Sequence, residues 1–177
     1  SFDDLVSLGK EVRDQGFSAL KTNIFLFEEQ SHMHQPGFAR SEGWPALNPE
    51  RRIINSLKEQ LAAFREGAGQ ELEILLDLNF NYRTEGFLTV CRALDDLGLG
   101  WFEMDLYDPA ALARIRHALK TPVASCESLF GLRGFRPFFE NQSMDVAIVD
   151  VPWNGIWQAI KIAGLAESFE VNVAPHN

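Results

Sequence analysis

Positive charge, cysteine and long apolar runs are all scarce in this chain, and each shortage excludes something. The 16 Lys and Arg residues face 25 Asp and Glu, a formal net charge of -9. A field of that sign repels nucleic acid and offers no basic stripe for phosphates, so an anionic substrate would need a local source of positive charge. The two cysteines, Cys91 and Cys126, have neither metal-finger nor disulfide spacing. They read as buried free thiols in a reducing compartment, which points to the cytoplasm. No stretch approaches the roughly 18 apolar residues of a membrane helix. The charged opening SFDDLVSLGKEVRD reads as a helix and not as a signal peptide. We therefore expect neither a membrane nor a nucleic-acid partner. No strand leads into a Gly-rich phosphate fingerprint.

The remaining composition is that of an ordinary globular protein, 46% hydrophobic over 177 residues, enough for one domain with a real core. The abrupt start suggests a chain that begins inside a larger protein. After a helix over 3–15, strand and helix alternate. The strands are FSALKTNIF, LEILLDLN, GWFEMDL, PVASCES, MDVAIVDV and EVNVAPHN. Between them, NPERRIINSLKEQLAAFREG carries Ile53, Ile54, Leu57, Leu61 and Phe64 at helical spacing. TEGFLTVCRALDDLG ends on a helix-stopping glycine, and DPAALARIRHALK has Asp108 as N-cap and Pro109 at its first position. LRGFRPFFEN and GIWQAIKIAGLAESF complete the helices. Strict alternation predicts an α/β fold of parallel strands with helical crossovers, either a doubly wound sheet or a (β/α)8 barrel. The missing phosphate fingerprint weighs against the first. One connection, 26–48, is unusually long, as functional loops are.

Near the C-terminal end of each strand stands one polar group: Lys21, Asp77, Glu103, Glu127, Asp150 and His176. We expect them at one register, converging on the mouth where barrel active sites sit. Asp77, Glu103 and Glu127 come from neighbouring strands, and their repulsion calls for a cation between them. Hard oxygen ligands without Cys or His favour Mg²⁺. Asp150 can hold the Nδ1–H of His176, fixing its tautomer and leaving Nε2 to take a proton.

These residues resemble the enolase superfamily in its mandelate racemase/muconate lactonizing enzyme branch. The resemblance rests on LKTN, DLN, WFE, ASCES and the stretch VDVPWNGIWQAIKIAGLAESFEVNVAPHN, and covers essentially the whole chain. It implies a TIM-type barrel, here a single partial barrel over 1–177 holding about strands 2–7. It also implies an N-terminal α+β capping domain that this sequence does not contain, and a homo-oligomeric full-length parent. By resemblance, Asp77, Glu103 and Glu127 would hold Mg²⁺, and Asp150–His176 would be the catalytic dyad. The chemistry implied is abstraction of the proton alpha to a carboxylate through an ene-diolate, with Lys21 supplying fixed positive charge to the substrate carboxylate.

Three positions depart from the branch's usual pattern. Asn23 stands where a second lysine is common, Met104 follows Glu103 in place of a second acid, and Asn154-Gly155 replaces paired glycines. An amide cannot serve as a second base, so Asn23 shifts the expectation from racemisation to one-base dehydration of a sugar acid to a 2-keto-3-deoxy acid. The Lys-x-Asn pattern is similar to that of galactonate-dehydratase-like members, although Asn79 stands where those have a histidine. Asn23, Asn79, His32, His34, Arg40 and Trp44 are candidate substrate contacts, the last four on the long loop. A racemase, epimerase or cycloisomerase of the same branch is the alternative enzyme, and a non-catalytic barrel subunit the alternative from another class.

Overall fold

The computed structural model describes residues 1–28, 31–38 and 49–176, so Arg40 and Trp44 lie outside the described residues. The chain opens with α1 (Phe2–Asp14) and β1 (Ala19–Thr22). Next come two short strands, β2 (Phe25–Leu26) and β3 (His32–Met33), and then α2 (Arg51–Ala68) and β4 (Glu73–Asp77). The alternation continues through α3 (Thr84–Leu94), β5 (Trp101–Glu103), α4 (Pro109–His117), β6 (Val123–Ser125), α5 (Gly131–Glu140) and β7 (Val146–Asp150). It finishes with the single turn α6 (Val151–Asn154), α7 (Ile156–Ser168) and β8 (Asn172–His176).

Six strands form one sheet in the order β1-β4-β5-β6-β7-β8, and every pairing in it is parallel. Each of these strands lies beside its successor, with no reversal of order. A doubly wound sheet reverses at a switch point, whereas a barrel does not. The chain is therefore a partial TIM-type barrel, a curled parallel sheet with helical crossovers. No described helix is long and apolar enough to cross a membrane.

The helices form where the sequence signals place them. Asp108 caps α4, accepting the N–H groups of Ala110 at 2.9 Å and Ala111 at 3.2 Å, with Pro109 next to it. The core lies between strands and helices: Ile74, Leu76, Phe102 and Val123 of the sheet pack with Phe87, Leu112, Ile115 and Phe139 of the helices, all essentially inaccessible. Each such side chain contributes about 1.5–3 kcal/mol by leaving water. Both cysteines are free and buried, and burial pushes each thiol well above its ordinary value.

α1 and α2 pack backbone to backbone. A Cβ on Gly67 would stand 1.9 Å from the Val6 carbonyl oxygen, and one on Gly9 2.8 Å from that of Phe64. Only glycine permits that approach. α2 is tied to the end of β1 by Gln60, which is fully buried. Its Oε1 accepts the Phe25 N–H at 3.0 Å, and its Nε2 donates to Thr22 Oγ1 at 2.9 Å and to the Asn23 carbonyl at 2.6 Å. This polar side chain is buried without cost to hydrogen bonding.

Two features differ from the sequence expectation. The long connection contains a small antiparallel ladder, with Phe25 opposite Met33 and Leu26 opposite His32. Two-residue strands are too short to leave a period in the sequence. The rim residues also do not share one hydrogen-bonded row. Asp77 pairs with Glu103, and Asp150 with His176. Lys21, however, pairs with Leu75, two residues before Asp77, and Ala124 pairs with Glu103, three residues before Glu127. Strands in a barrel are staggered, so the level of the mouth climbs across successive rows.

Candidate active site

Asp77 and Glu103 end adjacent strands side by side, and both are buried. Glu127 reaches them differently. It follows Cys126, whose φ of +88° turns the chain after β6. The three carboxylates each present an oxygen within 4.8 Å of the others. Burial raises the Glu103 carboxyl above the usual carboxylate range, and the Asp77 charge adds to it, against the opposing pull of Lys21 and Trp101. Burial also raises Glu127, with Asp105 and Asp77 contributing and His176 opposing. Three crowded anions, two of them sharing the single Lys21 ammonium, form a donor set suited to a divalent cation, and all-oxygen donors suit Mg²⁺. The residues present therefore fit such an ion.

The remaining oxygens of this group are held in place. Asp77 Oδ1 accepts the Asn79 N–H at 2.8 Å and its Nδ2 at 3.1 Å. Trp101 Nε1 donates to Glu103 Oε2 at 3.1 Å. The Lys21 Nζ lies 2.9 Å from Glu103 Oε1 and 3.3 Å from Asp77 Oδ2. Burial disfavours its charge, but Glu103 and Asp77 outweigh burial and raise its pKa. The long lysine stem bridges the two-residue offset of its strand. Asn23 faces the same way, its Nδ2 lying 3.3 Å from Asn79 Oδ1 and 3.4 Å from the Asp77 carbonyl.

Across the mouth stands the second pair. Asp150 caps α6, its Oδ1 accepting the Trp153 N–H at 2.7 Å. Its Oδ2 lies 2.9 Å from His176 Nδ1. A carboxylate is an acceptor only, so it places the ring proton on Nδ1 and leaves a lone pair on Nε2. That Nε2 sits 3.6 Å from Glu127 Oε2, facing the carboxylate group. Glu127, Asp150 and His176 also lie close enough to hold an ion. Both Asp150 oxygens already have partners, the Trp153 N–H and His176 Nδ1.

The long-loop histidines sit apart from this group. His34 packs against Tyr82, ring centroids 6.4 Å apart. Burial lowers its pKa, and the charges that act on it are those of Arg52, His32 and Glu50. Its segment is pinned by Asn81, which accepts the Gly37 N–H at 3.0 Å and donates to the His34 carbonyl at 3.4 Å. His32 is exposed on β3. His117, at the end of α4, is exposed.

Sequence reasoning gave no role to two rim residues. Asp105 lies two places beyond Glu103, and its carboxylate accepts from the backbone on both sides of Glu127. Asn154 ties the loop after β6 to the turn after β7. Its Oδ1 accepts the Gly131 N–H at 2.8 Å, and its Nδ2 donates to Leu129 O at 3.1 Å and Asp150 O at 3.0 Å. The signal for Asp105 was an acid at the same strand parity as Glu103. For Asn154 it was a polar residue just before a glycine.

A curled parallel sheet whose strand ends gather three carboxylates, a lysine and an Asp–His pair defines a partial (β/α)-barrel with an acidic mouth. The family model described as enolase C-terminal domain-like matches residues 4–177, and the chain belongs to that family. Arabinonate dehydratase of Saccharolobus solfataricus is 31% identical over 123 residues, which are 67% of this chain and 32% of that protein. D-galactarolactone cycloisomerase of Agrobacterium fabrum is 29% identical over 143 residues, 77% of this chain and 37% of that protein. A Burkholderia xenovorans structure, provisionally assigned as an L-alanine-DL-glutamate epimerase, matches with a TM-score of 0.95 at 47% identity. The match covers 100% of this chain and 45% of that one, and the same protein is known bound to magnesium and fumarate. This chain thus spans about a third of the length of the curated relatives it matches. The curated relatives include dehydratases and a cycloisomerase, so the family covers more than one reaction.

Proposed function

We propose that the intact protein abstracts the proton alpha to a substrate carboxylate, and that the reaction is dehydration of a sugar acid to a 2-keto-3-deoxy acid. One observation carries the reading. His176 Nδ1 is tied to Asp150 at 2.9 Å while Nε2 faces the carboxylate group at 3.6 Å. A general base held in one tautomer beside a buried acidic cluster is the arrangement such a reaction needs.

Mg²⁺, held by Asp77, Glu103 and Glu127, would supply positive charge against the second negative charge that develops on the substrate carboxylate. The chain's own groups do the rest. Lys21 places a fixed ammonium beside the same carboxylates, where substrate charge develops as an ene-diolate. His176 takes the α-proton at Nε2, and Asp150 stabilises the imidazolium. The C–O bond to the β-hydroxyl then breaks, His176 returns the proton to the departing oxygen, and water leaves. The resulting enol becomes the 2-keto acid. Asn23 and Asn79, linked to each other and to Asp77, stand where substrate hydroxyls would approach. His32, His34, Arg40 and Trp44 belong to the connection we assign to substrate selection.

A second reading, epimerisation, is favoured by the 47% identity to the provisionally assigned epimerase. In that case Lys21 acts as the second base, opposite His176. The discriminating experiment incubates the intact protein with Mg²⁺ and a library of acid sugars in D₂O. Dehydration yields a 2-keto acid that reacts with semicarbazide. α-Deuterium incorporation without keto acid would replace this reading with epimerisation.

A further inference from the structure

Glu127 is the one proposed metal ligand that does not end its strand in register with another. β6 stops at Ser125, and Cys126 then takes φ +88°. For a residue with a side chain that conformation is strained and persists only where surroundings enforce it. The Leu129 N–H donates to the Cys126 carbonyl at 3.1 Å, and one carboxylate holds the N–H groups on both sides of Glu127. Asp105 Oδ1 accepts the Cys126 N–H at 3.0 Å. Its Oδ2 accepts the Ser128 N–H at 3.2 Å and the Ser128 hydroxyl at 2.7 Å. The two clamped N–H groups flank Glu127 on either side.

Asp105 is itself anchored. Its backbone N–H donates to the Asn79 carbonyl at 3.0 Å. Asn79 in turn holds Asp77 Oδ1 through both its backbone and its side chain. A continuous run of hydrogen bonds therefore links Asp77 on β4 with the turn that carries Glu127 after β6. Those two strands are not neighbours, since β5 lies between them. The sheet ladder alone cannot set the distance between their side chains, because Glu127 lies beyond the last ladder pair of β6.

We propose that Asp105 is a positioning residue for the metal centre: by clamping the 126–128 turn it aims the Glu127 carboxylate at Asp77 and Glu103. This rests on the reading of those three carboxylates as the metal ligands. Without the clamp, Cys126 relaxes toward an extended φ. In an extended chain, successive side chains point to opposite faces, so Glu127 swings out of the group. Asn in place of Asp105 keeps the shape but loses one acceptor and sets an NH₂ against a backbone N–H. Loss of an outer partner of a metal ligand typically weakens metal affinity about 10–100-fold.

The test is Mn²⁺ binding by the intact protein, followed by electron paramagnetic resonance, which reports affinity and ligand environment without any turnover. Asp105→Asn is expected to weaken Mn²⁺ binding about 10–100-fold and to alter the bound-Mn²⁺ spectrum. Asp105→Glu keeps the charge but pushes the turn outward by one methylene, and should bind at least about fivefold more weakly. It carries the test if the Asn variant does not fold. Glu127→Gln is the control on the underlying reading and should lose binding outright. Wild-type affinity in either folded Asp105 variant, with Glu127→Gln unable to bind, overturns the positioning role while leaving the metal site intact. Wild-type affinity in Glu127→Gln removes the metal reading itself, and the positioning role with it.

Discussion

Replacing Asp150 by asparagine probes the proton-transfer pair with little disturbance to the fold. One Asp150 oxygen caps α6 through Trp153, and the other meets His176 Nδ1. An amide retains a single acceptor. If that acceptor stays on the Trp153 N–H, an NH₂ group faces Nδ1, and the ring must move its proton to Nε2. The lone pair that would take the α-proton is then gone. General-base catalysis is worth about 10²–10⁴ in rate, or about 3–5 kcal/mol of barrier. Stability should change by less than about 1 kcal/mol, because the cap bond survives and a neutral hydrogen bond replaces the one lost. Mn²⁺ affinity should stay put, since Asp150 lies outside the three-carboxylate set. The assay is α-proton wash-out into D₂O, followed by proton NMR with the intact protein and its substrate, alongside a thermal melt. If Asp150→Asn exchanges the α-proton within threefold of the wild-type rate, His176 is not a base oriented by Asp150.

Two further predictions concern the scaffold. Gly67→Ala should destabilise by about 1–3 kcal/mol in urea, because the methyl would overlap the Val6 carbonyl, and this outweighs the roughly 1 kcal/mol gained in helix propensity. A variant more stable than wild type would show that α1 and α2 are free to separate. Asp95 accepts the N–H of Lys120 at 3.0 Å and of Thr121 at 2.9 Å. Burial pushes its carboxyl up, but these bonds and that of the Thr121 hydroxyl win, leaving it below the usual carboxylate range. A group depressed in the folded state adds stability that is full above its unfolded value of about 3.9 and fades as pH falls through the lower folded value. Asp95→Ala should therefore cost about 1–2 kcal/mol at neutral pH, and the gap should close in acid. A gap that stays constant down to pH 2.5 would contradict this.

The alternation of strand and helix was legible because each buried parallel strand leaves a continuous apolar run and each helix a 3.6-residue period. The same logic pointed to the strand ends, where Asp77, Glu103, Asp150 and His176 stand. Their stagger was not legible, since a run of apolar residues does not reveal which neighbour it pairs with. Nor was the turn at Cys126, where a positive φ falls on a residue type that rarely adopts one. Asp105 was hidden for a related reason. Two of its three partners are backbone N–H groups, and backbone partners leave no trace in the residue types around them. Asn79 was expected as a substrate contact, and its bonds to Asp77 became visible only in three dimensions.

The Gly9–Gly67 contact and the Gln60 clamp have a consequence for the connection between β1 and α2. Together they hold α2 against α1 and against the end of β1, the elements on either side of that connection. Lengthening a loop whose ends are already held costs only about 0.6 kcal/mol per doubling. Insertions between the segment that Asn81 holds and α2 should therefore leave the barrel pieces and the Asp150–His176 pair in place. Under the proposed function, changes in such a segment alter what enters the mouth and leave the Asp150–His176 pair as it is.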